Sequence, residues 1–150
     1  NSADFIGLNY YTHVLTSPFL PQTTEIDLPS RDHETITEFG YPMYAEGLER
    51  ACKWLGKLNL PIEITENGVA DKEDNLRPKH LKRHLWTIAK LIQEGVDINS
   101  YYHWSLMDNF EWAEGYSMRF GLYHVDYETQ TRTLRASGKA YQSIIKRHQK

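Results

Sequence analysis

The sequence predicts an α/β fold in which parallel strands are joined by crossover helices. Three short segments have the composition of strands, and helical patterns alternate with them along the chain. This alternation is typical of parallel sheets, because a crossover helix brings the next strand back in the same direction. The chain has 150 residues, of which 40% are hydrophobic and 25% charged, which is the composition of one folded globular domain.

The predicted strands are residues 4–11 (DFIGLNYY), 60–65 (LPIEIT) and 98–104 (INSYYHW). They are rich in Ile and Tyr, and each runs into polar or loop-forming residues. Three parallel strands alone would leave two unpaired edges, and a parallel sheet usually needs cover on both faces. We therefore expect the chain to be part of a larger α/β sheet or barrel.

Two helices are predicted between these strands and a third after them. Apolar residues of the first helix recur at spacings of three and four, at Tyr44, Leu48, Ala51, Cys52, Leu55 and Leu58. The second helix has the same spacing, at Leu81, Leu85, Ile88 and Ile92. Gly95 follows it, where the end of a helix favours a left-handed residue. The third predicted helix covers residues 137–148.

The connection before the first helix is unusually long. Residues 17–40 are mostly polar and include Pro18, Pro21 and Pro29. A link that only joined a strand to a helix would be shorter, so this segment is predicted to be functional or mobile.

Composition excludes several classes of partner. Seventeen Lys and Arg against 20 Asp and Glu give a net charge of −3, with no basic stripe, so nucleic acid is not an expected partner. The apolar runs are far shorter than the roughly 20 residues that cross a bilayer, so no membrane contact is expected. Cys52 is the only cysteine, and we expect a buried thiol in a reducing compartment, with the cytoplasm favoured. The start, NSADFIG, has no initiator Met and no signal-peptide pattern, so we expect an incomplete amino terminus.

Glu66 comes at the end of the second predicted strand, directly before an Asn-Gly pair. Strand alternation predicts that Ile62, Ile64 and Glu66 share one face, with Glu63 and Thr65 on the other. If the two isoleucines line a barrel interior, Glu66 lies at the carboxyl-end mouth, where barrel enzymes gather catalytic residues. Spacing alone favours an ordinary surface carboxylate before a turn.

Three long motifs together resemble the last three βα units of the β-glycosidases of glycoside hydrolase family one. They are DFIGLNYYT, PIEITENG and YYHWSLMDNFEWAEGYSMRFGLYHVDY, and GYPMYAEGL and RTLRASGKAY resemble connecting segments of the same family. The resemblance extends over residues 4–145. It implies the C-terminal part, about strands 6 to 8 with their helices, of a (β/α)8 TIM barrel, with residues 1–150 as one partial domain of a larger catalytic barrel.

The resemblance implies two catalytic residues. Glu66 matches the nucleophile of the family's TENG motif, which attacks the anomeric carbon and forms a covalent glycosyl-enzyme that water then hydrolyses with retention. Tyr11 matches the residue that hydrogen-bonds and orients this nucleophile. Without the resemblance, the expected role of Tyr11 would be packing of an amphipathic ring at a strand end.

The resemblance also implies a sugar pocket, because a pyranose needs an aromatic platform and carboxylates that accept its hydroxyl protons. Trp104 resembles the platform, Glu111 the acceptor for the far hydroxyls of the glycone, and Trp112 an indole donor. Phe120 matches a residue that lines the pocket, and Asn9 a polar position near it. Core packing is the commoner role of Trp and is the alternative for Trp104 and Trp112.

Glu111 narrows the expected substrate to neutral glycosides. Family members that act on 6-phosphorylated sugars typically have Ser near this position, with Lys and Tyr near Met118 and Phe120. A phosphate beside Glu111 would be repelled. The expected ligand is therefore a β-linked glucoside, galactoside or related small saccharide, with no cofactor and no metal.

The second carboxyl of a retaining glycosidase is missing from this sequence. The family's acid/base is the Glu of an Asn-Glu-Pro motif on an earlier strand, and no Asn-Glu-Pro occurs in these 150 residues. Glu63 should face the helix layer, and the resemblance gives Glu114 and Asp108 no proton-transfer role. We therefore expect little hydrolysis by this chain alone and expect the N-terminal part of the same barrel as its partner.

Competing interpretations remain open from the sequence. His80 and His84 lie one helical turn apart, which predicts a solvated helix face or, less favoured, a zinc site. The chain could also be a catalytically inactive carbohydrate-binding or regulatory module derived from the same fold. A third possibility is a half-barrel that self-associates through its sheet edges.

Overall fold

A computed structural model describes residues 2–14 and 33–148. The strands are β1 (Ile6–Asn9), β2 (Ile62–Gly68), β3 (Ile98–Trp104), β4 (Tyr123–Val125) and β5 (Arg132–Leu134). The helices are α1 (Ala45–Leu55), α2 (Arg77–Gln93) and α3 (Ala136–His148), with short 3-10 turns at Gly56–Leu58 and Trp112–Glu114. No helix of the described ranges is both long and apolar enough to cross a membrane.

The main sheet contains three parallel strands in the order β1-β2-β3. The predicted α/β alternation is therefore confirmed, and the third helix begins within one residue of its predicted start. Two boundaries differ, because β1 is only four residues long and β2 continues through Glu66 to Gly68. The antiparallel hairpin β4-β5 was not predicted from the sequence. Its strands are three residues each and largely exposed, so they lack the apolar alternation that marks a strand.

The hydrophobic core lies between the sheet and the helices. Ile62 and Ile64 of β2 are fully buried in one cluster with residues of α1 and α2: Leu48, Cys52, Ile88 and Leu91. Cys52 is thus a buried free thiol, as predicted. Helix α3 lies on the same side of the sheet, because the ring of Tyr141 contacts Tyr101 of β3. Two predicted core positions are wrong, since Leu58 lies beyond α1 and is 56% exposed and Ile92 is 50% exposed.

This packing corrects the predicted orientation of β2. Ile62 and Ile64 face the helices and not a barrel interior, so Glu63, predicted to face the helix layer, lies on the opposite side of the sheet. We call this side, which carries Glu63 and Glu66, the open face. The alternation of β2 was predicted correctly up to Ile64, but alternation alone does not say which side of a strand the helices cover.

A β-bulge in β2 places Glu66 on the open face. From Glu63 to Glu66, β2 advances three residues while β1 advances two, and the same extra residue appears against β3. Thr65 and Glu66 therefore both remain partly exposed, whereas Asn67 turns into the core and is fully buried. The prediction that Glu66 shares a face with the isoleucines and lies opposite Thr65 is wrong for this reason.

The two histidines of α2 are buried, so the predicted solvated face is wrong. His80 is 1% exposed and His84 is fully buried, and their rings stack with centroids 3.8 Å apart. The ring nitrogens of His103 in β3 are also buried. Within residues 2–14 and 33–148, no group of three or more His, Cys, Asp or Glu side chains is arranged to hold a metal ion.

These buried histidines predict loss of stability in acid. Burial lowers the pKa of His84 to about 4 and of His103 to about 3, whereas the unfolded chain takes up these protons near pH 6.5. The free energy of unfolding should be flat above about pH 6.5 and fall below it, by up to about 1.4 kcal/mol per pH unit for each histidine. Urea titrations of the chain at about pH 7.5 and pH 5 measure this difference.

The matched variants are His84→Gln and His148→Gln, the latter at the exposed end of α3. His84→Gln should reduce the stability difference between the two pH values, whereas His148→Gln should leave it unchanged. An equal pH dependence in all three proteins would contradict the prediction.

Candidate active site

A pocket of about 270 Å³ opens where the three parallel strands end. It is lined by Tyr11, Phe39, Tyr41, Glu66, Trp104, Glu111, Trp112 and Phe120. Tyr11 follows β1, Glu66 lies near the end of β2, and Trp104 is the last residue of β3. The structure thus brings together in one pocket all the sequence-predicted site residues except Asn9.

The Tyr11 hydroxyl donates a hydrogen bond to Oε2 of Glu66 at 2.6 Å. The backbone holds the two residues in place, since the Tyr10 amide donates to the Glu66 carbonyl at 2.9 Å. Burial and the neighbouring carboxylate of Glu66 raise the pKa of Tyr11 well above its usual value. Tyr11 therefore stays protonated, and its hydroxyl is a permanent donor that holds one carboxylate oxygen of Glu66 in position.

Glu111 brings a second carboxylate to the pocket. Its Oε2 is buried and has no hydrogen-bond partner among the described residues. The pKa of the nearby Tyr41 is raised, mainly by burial and to a smaller extent by the charge of Glu111. A buried carboxylate oxygen without a donor is costly, so this atom is well placed to accept a hydrogen bond from a ligand hydroxyl.

Aromatic rings form the walls of the pocket. The Phe120 ring is buried and meets the Tyr11 ring edge-on at 6.4 Å. Trp104 is half-buried at the end of β3, while Trp112 is 84% exposed in a left-handed backbone conformation. Core packing, the alternative for the two tryptophans, does not describe Trp112. An exposed indole beside two carboxylates is suited to contact a polar ligand with an apolar face.

Asn9 does not line the pocket. It is exposed on β1, next to Glu66 in the register of the sheet, and its Oδ1 accepts a hydrogen bond from the Thr65 hydroxyl at 2.6 Å. Its amide nitrogen makes none of the described hydrogen bonds. The structure therefore places Asn9 beside the pocket, as a neighbour of the strand that carries Glu66.

Two pocket residues were missed by the sequence analysis. Phe39 and Tyr41 flank Gly40, which has a φ of 78°, and their rings lie 4.7 Å apart. Phe39 lies at the end of the connection, residues 17–40, that was predicted to be functional or mobile, and Tyr41 directly follows it. Residues 17–32 of this connection lie outside the described part. The signal for them was an aromatic-Gly-aromatic triplet at the end of an overlong link.

The other carboxylates considered from the sequence do not line this pocket. Asp108 is buried beside Arg135, and Glu114 is exposed in the 3-10 turn. Glu63 shares the open face with Glu66 but lies three residues earlier in β2. Glu66 and Glu111 are thus the two carboxylates that the described chain presents to the pocket.

The sequence matches the family model described as Glycosyl hydrolase family 1 over residues 1–150. It is 38% identical over 156 residues to a beta-galactosidase of Sulfolobus acidocaldarius, covering 97% of this chain and 32% of that protein. It is 40% identical over 159 residues to beta-glucosidase A of Thermotoga maritima, covering 95% of this chain and 34% of that protein. The chain spans about a third of the length of these relatives.

Solved structures show the same relationship. The chain is similar to a hyperthermophilic beta-glucosidase from Pyrococcus furiosus, with a TM-score of 0.87 and 40% identity, covering 96% of this chain and 33% of that one. It is also similar to the beta-glucosidase of T. maritima in complex with glucoimidazole, with a TM-score of 0.84 and 39% identity, covering 95% and 34%. Another complex of the T. maritima enzyme contains castanospermine.

Proposed function

Because the chain belongs to glycosyl hydrolase family 1, we propose that it supplies the nucleophile and the sugar pocket of a retaining β-glycosidase. The observation that carries this proposal is the 2.6 Å hydrogen bond from Tyr11 to Glu66 in a pocket that also holds Glu111. A carboxylate that is oriented by a protonated phenol and surrounded by aromatic rings is suited to attack a sugar carbon.

The proposed reaction is a double displacement at Glu66. A carboxylate oxygen of Glu66 forms a bond to the anomeric carbon as the bond from that carbon to the leaving-group oxygen breaks. Water then attacks the anomeric carbon, releases the Glu66 carboxylate and gives a product of retained configuration. The proton that the leaving group takes up, and the water later returns, passes through an acid/base carboxyl about 5 to 5.5 Å from the nucleophile.

This proposal requires that the acid/base carboxyl comes from outside this chain. We infer that β1, β2 and β3 are about strands 6 to 8 of a (β/α)8 barrel, of which residues 1–150 form one partial domain. The chain's coverage of about a third of its relatives supports this, as does a sheet whose two edge strands lack a second neighbour among the described residues. The N-terminal part of the barrel would then complete both the sheet and the site.

The proposed substrate is a neutral β-linked glucoside, galactoside or related saccharide. The unpartnered Oε2 of Glu111 would accept hydrogen bonds from the hydroxyls farthest from the anomeric carbon. Trp104 would stack on the sugar, Trp112 would donate from its indole, and Phe120 would line the wall. The relatives are named beta-glucosidases and beta-galactosidases, and two of the solved structures contain castanospermine and glucoimidazole, which supports a saccharide ligand.

Covalent trapping tests the proposed nucleophile. The protein to use is the complete barrel, by which we mean this chain co-expressed with the N-terminal part of a family barrel, such as that of T. maritima beta-glucosidase A. A 2-deoxy-2-fluoro-β-glucoside with a good leaving group should add one fluoroglycosyl group to this chain, because the fluorine slows hydrolysis of the intermediate. Peptide mass spectrometry should place the label on Glu66.

Label on another residue, or none on a barrel that hydrolyses an aryl β-glucoside, would contradict the proposal. Binding of a simple glycoside by a complete barrel that never hydrolyses it would instead favour a non-catalytic binding module. The control is Glu66→Gln, which should take up no label although its side chain has nearly the same size.

A further inference from the structure

The loop between β3 and β4 carries much of the proposed sugar pocket. Residues 105–122, which we call the glycone loop, contain Glu111, Trp112 and Phe120, and their only regular structure is one 3-10 turn. The loop's ends are joined by backbone hydrogen bonds, from the Ser105 amide to the Phe120 carbonyl at 3.2 Å and from the Leu122 amide to the Ser105 carbonyl at 3.0 Å. Backbone hydrogen bonds also close the turn around Glu111, from its amide to the Gly115 carbonyl at 2.6 Å and from the Glu114 amide to the Glu111 carbonyl at 2.8 Å. Side-chain contacts then decide where this turn lies relative to the ends of the loop.

The carboxylate of Asp108 is the centre of these contacts, and its side chain is fully buried. Its Oδ1 accepts hydrogen bonds from the Gly121 amide at 2.9 Å and from Nη1 of Arg135 at 2.8 Å. Its Oδ2 accepts from the Val125 amide at 3.2 Å and from Nη1 of Arg119 at 3.4 Å. One side chain thus joins the first part of the glycone loop to its last part, to β4 and to Arg135, the residue before α3.

This centre requires a charged carboxylate. Burial alone would raise the pKa of Asp108, but the hydrogen bonds from Arg135 and from the two backbone amides outweigh it and hold the pKa below its usual value. The close approach also needs Gly121, because a Cβ there would lie 2.2 Å from the Asp108 amide nitrogen. Ionised Asp108 in turn balances two guanidinium groups that are mostly buried.

The contacts continue to both sides of Glu111. The guanidinium carbon of Arg119 lies 4.2 Å from the centre of the Tyr127 ring. The Tyr127 hydroxyl donates to the Asn109 carbonyl at 3.2 Å, and its ring lies 4.6 Å from that of Tyr116. Asn109 and Tyr116 lie on either side of Glu111 in the sequence, so these contacts connect Arg119 to both ends of the segment that carries Glu111.

We propose that Asp108 is a positioning residue that sets where the Glu111 carboxylate lies in the pocket. Asp108 thereby sets how strongly the enzyme prefers a sugar that has the hydroxyls bound by Glu111 over a sugar that lacks them. This inference rests on the proposed function, because it takes Glu111 as the hydroxyl acceptor. Glu66 and Tyr11 are held by the sheet and by each other, so the nucleophile should keep its place when Asp108 is changed.

The test compares Asp108→Asn with Glu111→Gln in the complete barrel. For each protein, kcat and KM are measured on an aryl β-glucoside and on its 4-deoxy and 6-deoxy analogues. Glu111→Gln should reduce the preference for the parent glucoside on the order of tenfold, as expected for one hydrogen bond to a charged group. Asp108→Asn should reduce the same preference with a rise in KM, and the double variant should lose no more preference than Glu111→Gln alone.

The matched control is Asp126→Asn. Asp126 also accepts two backbone amides, those of Glu128 and Thr129 at 3.0 Å, but it lies in the β4-β5 turn outside the pocket. The Asp126→Asn barrel should prefer the parent glucoside over the deoxy analogues as strongly as the unmutated barrel does. A purely structural role for Asp108 would lower kcat equally on all three substrates with the preference intact, and this result would overturn the inference.

Two further outcomes separate the inference from the proposed function. If Glu111→Gln keeps the preference for the parent glucoside, both the proposed role of Glu111 and the inference about Asp108 are wrong. If Glu111→Gln loses this preference and Asp108→Asn keeps it, the role of Glu111 is supported and only the inference about Asp108 is wrong. If Asp108→Asn does not assemble, Arg119→Gln decides, because it keeps Asp108 and its bonds to Gly121, Val125 and Arg135 but removes the guanidinium that connects Asp108 to the Val125 carbonyl and the Tyr127 ring. It should reduce the preference in the same direction by a smaller factor, and an unchanged preference would overturn the inference.

Discussion

Replacing Glu66 with Gln should lower kcat of the complete barrel on an aryl β-glucoside by roughly 10⁴- to 10⁶-fold, the range for loss of a covalent nucleophile. The amide keeps the size of the side chain and can still accept the 2.6 Å hydrogen bond from Tyr11, so folding should be little affected. It cannot form a stable bond to the anomeric carbon. Steady-state kinetics, with circular dichroism to compare the folds, measures the effect.

Glu63→Gln is the matched control for this prediction. It makes the same chemical change in the same strand, three residues away on the open face, at a side chain that does not line the pocket. Its kcat should stay far closer to that of the unmutated barrel than the kcat of Glu66→Gln does, because the Glu63 side chain does not line the pocket that holds the proposed nucleophile. Comparable losses in both variants would show that the effect of Glu66→Gln is not specific to the proposed nucleophile.

The isolated 150-residue chain should show no measurable turnover of an aryl β-glucoside, although it carries Glu66, Tyr11 and Glu111. Loss of general acid catalysis alone costs typically 10²- to 10⁴-fold in rate. The half of the pocket that the rest of the barrel would supply is also absent, so the losses should combine. Co-expression with the N-terminal part of the barrel should restore turnover.

Size-exclusion chromatography with light scattering completes this experiment. A complex of one copy of each part that gains activity would support the proposed assembly. Turnover by the purified chain alone that Glu66→Gln abolishes would contradict it, because the chain would then contain its own acid/base. A dimer of this chain alone that has no activity would support the half-barrel that self-associates.

The order of the elements could be predicted from the sequence, because each depends on local periodicity. The spacing of Leu48 and Cys52 marks α1, and the β-branched run around Ile62 and Ile64 marks β2. The side of β2 that faces the helices could not be predicted, because alternation is symmetric about the strand. The burial of His80 and His84 was likewise hidden, because polar side chains at helical spacing are more often solvated.

The site could be predicted only in part for a similar reason. Glu66, Tyr11 and Glu111 were found through motifs, and the structure places them in one pocket. Asp108 contacts residues that lie 11 to 27 positions away in the sequence, and local sequence patterns do not predict contacts over such separations. Asn9 was expected near the pocket, and the structure places it beside the pocket, next to Glu66 in the sheet and hydrogen-bonded to Thr65.

The bulge in β2 ties the charge of Glu66 to the alignment of the strands. Without it, strict alternation would turn this carboxylate towards the aliphatic cluster of Ile62 and Ile64, where an ionised group is expensive. A shift of β2 by one residue would therefore take the Glu66 carboxylate out of water, and this desolvation opposes the shift. The proposed chemistry depends on the same carboxylate. The carboxylate of Glu66 therefore also helps to specify the alignment of β2 with its neighbours, because a slipped form of the strand would bury it among aliphatic side chains.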